Sequence, residues 1–411
     1  MATYLWKHFE QIVTLEGVVF KDGRKLTPPD LSIISDGAVI FSDDEILWVG
    51  SSSKIPRGFN VTSSQSFPDH VLLPEIIDSH THLIFGGDRS HEYAQRLNGI
   101  DYQEIAKQGG GINHTVKETI KLSYDELFNI ADRRVREISQ FGIGTMEIKT
   151  GYALSIDGEI QLCRIIHKLK KKYFPRLRIF CTLMAAHAIP HSYPNSTAYL
   201  EEVAIPVLEQ MASEGIIDFV DIFHELAYFN DNDLEKIASN AVRLGIPLKI
   251  HADEFNDNRG ALLAAHYKAV SADHLLKISS EGIKALAGAR TIATLLPGTG
   301  LFLGKGMAPA RNLLDAGVKV ALASDFNPGS CHFNNLLFLA SIAAPSYKMN
   351  LAELWAGITF NAAAALGLTT SGAIVAGFLP RFSMFKTKNF EHITYNWGEN
   401  TFRQDLRYSE D

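Results

Sequence analysis

The sequence predicts an α/β protein: a closed (β/α)8 TIM barrel with a small β-sandwich domain built from both chain termini. Three observations lead there. Eight short apolar runs alternate with stretches of helical length through the middle of the chain. Helices between such runs imply a parallel sheet covered on both faces. Eight units in about 300 residues is the number a closed barrel needs. An open doubly wound sheet would be favoured by a GxGxxG turn after the first run, and none is present.

Taken in order, residues 1–70 hold short β-like runs, GVVF, AVIFSDDEILWVG and NVTSS. Asp-Gly at 22–23 and 36–37 and Asp-Asp at 43–44 supply turn signals between them. The tail after about residue 371 also reads as β. The eight barrel strands are expected at 71–78, 144–150, 178–186, 218–223, 246–251, 268–273, 291–296 and 318–324. Helices are expected at 123–141, 155–173, 196–214 and 231–244, among others. The division is therefore residues 1–74 with 372–411 as the small domain, and 75–371 as the barrel.

Composition narrows the function. The 411 residues are 46% hydrophobic and 21% charged, with a formal net charge of −7. That balance disfavours a nucleic-acid or anionic-membrane partner. The longest basic cluster, KLKKKYFPRLR at 168–178, reads as the solvated end of a helix. No window approaches ~20 consecutive apolar residues, so no spanning helix is expected, and MATYLWKHFEQIV does not read as a signal peptide. Cys163, Cys181 and Cys331 form no CxxC pair and suit a reducing compartment. A cytoplasmic protein is expected, and a homodimer is the usual state for an enzyme of this size.

Barrel enzymes build their sites where the strands end. Six of the fifteen histidines fall at or just past an expected strand end: His80, His82, His187, His224, His251 and His274. Lys149, Thr150 and Tyr152 follow the second run, Glu225 the fourth, Glu254 the fifth, and Asp325 and Asn327 the eighth. In an extended strand, residues i and i+2 face the same way, so His80 and His82 can converge on one cation. Together with His251 and Asp325 they supply three nitrogens and one carboxylate, a set suited to a divalent transition metal such as zinc. Such a site leaves room for a water whose pKa the metal lowers toward ~7. Taken singly, each residue has a plainer reading. His251 or Asp325 alone would be a strand-end hydrogen-bonder or a cap. Arg89 would pair with Asp88 or Glu92 on a surface loop, Glu254 would cap a helix starting near 257, and His187 would bond within the core. The KQGGGINH stretch at 107–114 lacks the Lys-Ser/Thr of a phosphate loop and reads as a flexible active-site loop.

The carrying stretches are DSHTHLIFGGDRSHEYAQRLNG, IAKQGGGI, GTMEIKTGYAL, AAHAIP, LKIHADEF, SADHL, LLPGTGLFLG and SDFNPGS. On these the chain resembles the amidohydrolase superfamily and, within it, the imidazolonepropionase family. That family opens 4-imidazolone-5-propanoate to N-formimidoyl-L-glutamate in L-histidine breakdown. The resemblance implies one zinc or iron ion per subunit, held by His80, His82, His251 and Asp325. It implies substrate contacts from Arg89, Tyr152, His187, Glu254, Asn327, Gly329 and Ser330, with His274 at the position of a catalytic histidine. The fourth strand end carries no lysine to bridge two ions, so a single ion is expected. The chain departs from the family at Ala153, His224 and Ser330, where Gly, Cys and Thr are usual. In the implied chemistry Asp325 ligates and accepts a proton, His274 orients the nucleophile, and Glu254 carries a proton to the leaving nitrogen. His187 donates to the developing oxyanion, Arg89 forks onto the propionate, and Tyr152 and Ser330 add hydroxyl donors. Two competing readings remain: an aminohydrolase of a cytosine- or guanine-like base, told apart by ammonia release, and a non-enzymatic scaffold, told apart by absence of bound metal.

Overall fold

The computed structural model describes residues 2–101, 104–105 and 108–403. Eight parallel strands run in sequence order around one sheet: Ile76–Asp78, Ile143–Lys149, Arg178–Ala186, Phe219–His224, Leu248–Ala252, Ser271–His274, Ile292–Leu295 and Val320–Leu322. The ring closes between the first and last of these. Thr81 bridges Phe326 in parallel, the Asp325 amide donates to the His80 carbonyl at 3.0 Å, and the His82 amide donates to the Phe326 carbonyl at 2.9 Å. The fold is the expected TIM barrel.

Helices form where an apolar stripe meets a capping residue. Tyr124–Ser139 begins at a Ser123–Glu126 capping box, and Asp231–Leu244 begins at Asn230 and ends at left-handed Gly245. Ile156–Tyr173 is capped by Ser155 and buries Ile160, Ile165, Ile166 and Leu169 against the strands. The expected helix at 196–214 is continuous but contains a π turn at Leu200–Ala204, just before Pro206. No helix among the described residues is long and apolar enough to cross a membrane.

Both chain ends meet in a second sheet of seven strands, in which Tyr4–Val13 pairs antiparallel with Ile33–Phe41 and parallel with Val71–Pro74. Phe382–Phe385, from the far end of the chain, lies antiparallel to Val71–Pro74. Trp6, Phe9, Phe41, Phe67 and Phe382 build its core through edge and stacked ring contacts. Residues 404–411 of the expected β tail lie outside the described residues.

Three local expectations are corrected. GVVF is one turn of helix, Glu16–Phe20, with Val18 buried and Phe20 exposed. A four-residue apolar run has no period long enough to separate strand from helix. Asp36-Gly37 lies inside the strand Ile33–Phe41, not at a turn, opposite an irregularity in the partner strand between Trp6 and Phe9. Within the tail, Glu391–Tyr395 is helical.

The run at 71–78 is two strands, one in each sheet, with Glu75 at the junction. Its buried carboxylate receives Arg178, Arg381 at 2.6 Å and Thr145 at 3.0 Å. Arg381 also donates to the carbonyls of Gly144 at 2.7 Å and Pro175 at 2.8 Å. Glu75 therefore joins the small sheet to the bottom of the barrel. Glu75→Ala leaves two largely buried guanidiniums without their shared anion, and is expected to cost about 3–5 kcal/mol of unfolding free energy in urea titration. A loss below about 1 kcal/mol, the scale of an exposed pair, would show that the junction does not depend on it.

Candidate active site

Side chains alternate along a strand, and in this barrel the inward positions are charged. Glu147 and Lys149, Asp221, Lys249 and Asp273 all point into the ring and are fully buried. Lys149 Nζ lies 2.7 Å from Asp221, 2.9 Å from Glu147 and 3.8 Å from Asp273. Lys249 Nζ lies 2.9 Å from Glu147 and donates to the Ser79 carbonyl at 2.8 Å. This polar layer is the floor on which the site stands.

On that floor the three expected histidine ligands converge. His80 Nε2 and His82 Nε2 are 3.2 Å apart, as are His82 Nε2 and His251 Nε2. Asp325 Oδ1 lies 3.5 Å from His80 Nε2 and 3.7 Å from His82 Nε2. Ligand atoms at the corners of a tetrahedron with bonds of ~2 Å stand about 3.3 Å apart; the three imidazole nitrogens lie near that spacing, and Asp325 Oδ1 stands close to two of them. His80 Nδ1 donates to Asp273 Oδ2 at 2.7 Å, and His251 Nδ1 sits 3.1 Å from Asp221 Oδ2. A proton held at Nδ1 leaves the Nε2 lone pair free to bind metal. Burial, then the Lys149 charge, pushes His80 well below its ordinary pKa. Burial, then His187, does the same to His82. Both are neutral bases, as ligation demands. Asp325 is pushed up to about 6 by burial, and Thr299 holds its other oxygen.

The centre opens into a cavity at the barrel mouth. Its polar lining includes Arg89, Tyr152, His187, Glu254, His274, Asn327 and Ser330. Gly329 closes the set: a Cβ built there would overlap the Arg89 guanidinium. The structure thus brings every expected site residue to one place. Arg89 does pair with Glu92, at 2.8 Å from Nε and 2.7 Å from Nη2, but both are buried at the cavity. Glu92 also accepts the Gly111 amide at 2.9 Å, and Ile112 lines the cavity. The glycine stretch therefore packs at the site, although Lys107 lies outside the described residues.

Glu254 does not cap the next helix. Asp253 does, accepting the Gly260 and Ala261 amides at 2.8 and 3.0 Å, and the helix is Gly260–His266. Glu254 instead stands 3.6 Å from His274 Nε2. Burial, with Asp325 and Glu225 as like charges, raises its pKa well above the usual carboxyl value. His187 Nδ1 donates to the Gly151 carbonyl at 3.1 Å, and burial pushes its pKa down to about 3. In that neutral tautomer its Nε2 faces the cavity side as an acceptor. Asn327 uses its amide in the loop, accepting from Gly329 and Ser330 and donating to the Asp325 carbonyl and the Ser330 hydroxyl. It shapes the wall and leaves the Ser330 hydroxyl free to donate. His224 faces away, 2.9 Å from Asp231.

Sequence reasoning missed two groups. The apolar wall of Ile112, Phe223, Tyr228 and Phe255 carries no chemical signal along the chain. The buried Glu147, Asp221, Lys249 and Asp273 do leave one. Each interrupts an apolar strand with a charge, which is tolerated inside a protein only when paired. A separate groove at the barrel bottom, lined by Glu75, Tyr173, Arg381 and Phe402, has no converging ligand set among the described residues.

Comparison with known proteins agrees with this geometry. The amidohydrolase family model matches residues 71–406. Imidazolonepropionase of Idiomarina loihiensis is 38% identical over 376 residues, covering 90% of this chain and 91% of that protein. That of Bacillus velezensis is 37% identical, covering 97% and 94%. The chain belongs to the imidazolonepropionase family. Solved structures match the fold at lower identity. Ochratoxinase of A. niger has a TM-score of 0.69 at 15% identity, covering 98% of this chain and 93% of that one. Atrazine chlorohydrolase of Arthrobacter aurescens, solved with zinc, has a TM-score of 0.68 at 15% identity, covering 94% and 88%.

For this imidazolonepropionase-family chain, Asp273→Asn removes the carboxylate that holds His80 Nδ1–H. Zinc affinity measured by chelator competition is expected to fall about 10–100-fold. Unchanged affinity would show that His80 is oriented by other contacts.

Proposed function

We infer that this chain hydrolyses the ring C–N bond of 4-imidazolone-5-propanoate, giving N-formimidoyl-L-glutamate, as the name of its relatives indicates. One observation carries the reading. A buried Arg89 stands in the same cavity as a three-histidine, one-carboxylate centre, with the buried carboxyl of Glu254 also in the wall. A ring amide bearing a carboxylate tail asks for those three features.

The donors suit one divalent ion: three converging imidazole nitrogens with a carboxylate oxygen close to two of them. We assign His80, His82, His251 and Asp325 as its ligands, with zinc or iron as the metal. When bound, such an ion supplies Lewis acidity and lowers the pKa of water toward ~7. The protein's own groups do the rest. Arg89, held at its Nε edge by Glu92, receives the propionate. His187 Nε2 accepts a ring N–H, and the Ser330 and Tyr152 hydroxyls lie in the same wall to donate. Water adds to the lactam carbonyl carbon while Asp325 and His274 take up and orient its proton. The C–N bond then breaks, and Glu254 delivers a proton to the departing nitrogen. The carbonyl carbon leaves as a carboxylate.

The test follows the loss of the imidazolone ultraviolet band with purified, metal-analysed protein. Turnover of the band without ammonia is expected. Ammonia release from a cytosine- or guanine-like base, with no action on the imidazolone, would replace this reading with the aminohydrolase one. Arg89→Ala is expected to weaken substrate binding by about 2–5 kcal/mol, and an unchanged KM would remove it from the site. Glu254→Gln should retain metal and lose about 10²–10⁴ in kcat; equal turnover would leave Glu254 a structural role only.

A further inference from the structure

A cation directly beneath a metal site is unexpected. Lys149 is wholly buried, and its charge acts on His80, His82 and His274 in the direction that repels a further positive charge. By charge alone it works against binding a metal ion. Its contacts argue a different role. Its ammonium reaches Asp221 at 2.7 Å and Asp273 at 3.8 Å, the two carboxylates that face the Nδ1 atoms of His251 and His80. Asp221 uses the same oxygen, Oδ2, toward Lys149 and toward His251. Its other oxygen accepts the Ile222 amide at 2.7 Å, so its plane has little freedom. On the far side Lys149 is tied to Glu147, and Glu147 to Lys249 at 2.9 Å.

We infer that Lys149 is a positioning residue of the metal centre, whose ammonium clamps Asp221 and Asp273 so that the imidazoles of His251 and His80 turn their Nε2 atoms to one point. The inference rests on the ligand set proposed above and goes beyond it, because Lys149 touches neither metal ligand nor substrate. Three buried carboxylates against two ammoniums leave a single negative charge in the layer. Without Lys149, only Lys249 remains to oppose three carboxylates, and Asp221 and Asp273 lose the ammonium that holds them in place. Their displacement releases an imidazole from its Nδ1 partner. The expectation therefore has a sign. A lysine acting only through space would, on removal, let the centre hold zinc more tightly. A lysine acting as a clamp would, on removal, make it hold zinc more weakly.

The experiment titrates zinc alone into apo protein against a chromophoric chelator, without substrate. Lys149→Met, shown to be folded by circular dichroism and its melting curve, is expected to bind zinc at least about 10-fold more weakly. Equal or tighter binding overturns the inference. In an Asp221→Asn background the loss caused by Lys149→Met should shrink, because the route through Asp221 is already cut; an undiminished loss also overturns it. If Lys149→Met does not fold, Lys149→Arg keeps the charge but relocates the nitrogens. Weaker zinc binding in that variant supports the clamp, and equal or tighter binding overturns it. His80→Ala is run alongside. Full zinc retention there overturns the ligand set itself, a result separate from any wrong assignment of substrate, which this measurement does not sense.

Discussion

Five charged side chains sealed inside the barrel impose the constraint on which the remaining structure depends. Glu147, Lys149, Asp221, Lys249 and Asp273 have no access to water, so each must find its opposite charge within the ring. Removing such ions from water costs several kcal/mol apiece, and well-packed apolar residues would serve stability as well or better. A barrel that fills this layer with charge instead of Val, Ile and Leu gains direction rather than stability. The strands must keep one register for the pairs to meet, and the carboxylates then stand under the histidines at fixed positions.

Above that layer the chain turns sharply at the strand ends. Asp253, His274, Leu275 and Asp325 all adopt left-handed backbone angles, with φ between 51 and 78°. Non-glycine residues held there cost about 1–3 kcal/mol each, and such strain gathers at functional sites. Here the turns aim His274 and Asp325 into the barrel mouth instead of letting the strands run on. The departures from the family pattern are absorbed locally. The Ala153 amide donates to Glu159 at 2.8 Å, as do its neighbours Leu154 and Gly151 at 2.9 and 3.0 Å, so the loop carrying Tyr152 keeps its anchor. Ser330 keeps the hydroxyl that bonds Asn327.

Much of the site was legible before folding. His-x-His on an extended strand can only present both rings to one face, and a polar residue just past a buried strand can only lie at the barrel mouth. Those local rules placed His80, His82, His251, His274 and Asp325. They could not say what Arg89 or Glu254 does, because either could form a surface ion pair or a cap. Burial of the Arg89–Glu92 pair, and capping of Gly260–His266 by Asp253, removed those two alternatives. The tautomer of His187 was equally hidden, because it depends on the Gly151 carbonyl, a partner 36 residues away.

The amino-acid order by itself determined the barrel, its strand sequence and the candidate ligands at the strand ends, since alternation, capping and strand-end chemistry act over a few residues. It also carried the charges of the barrel floor, but not their meaning. Only the closed ring decided that Asp221 serves His251, that Asp273 serves His80 and that Lys149 stands between the two carboxylates. Those partners are separated by 30 to 193 residues in the chain and by about one hydrogen bond in space. Pairing of buried charges is a property of the assembled interior, where water is absent and each ion has no alternative to the neighbour the fold supplies.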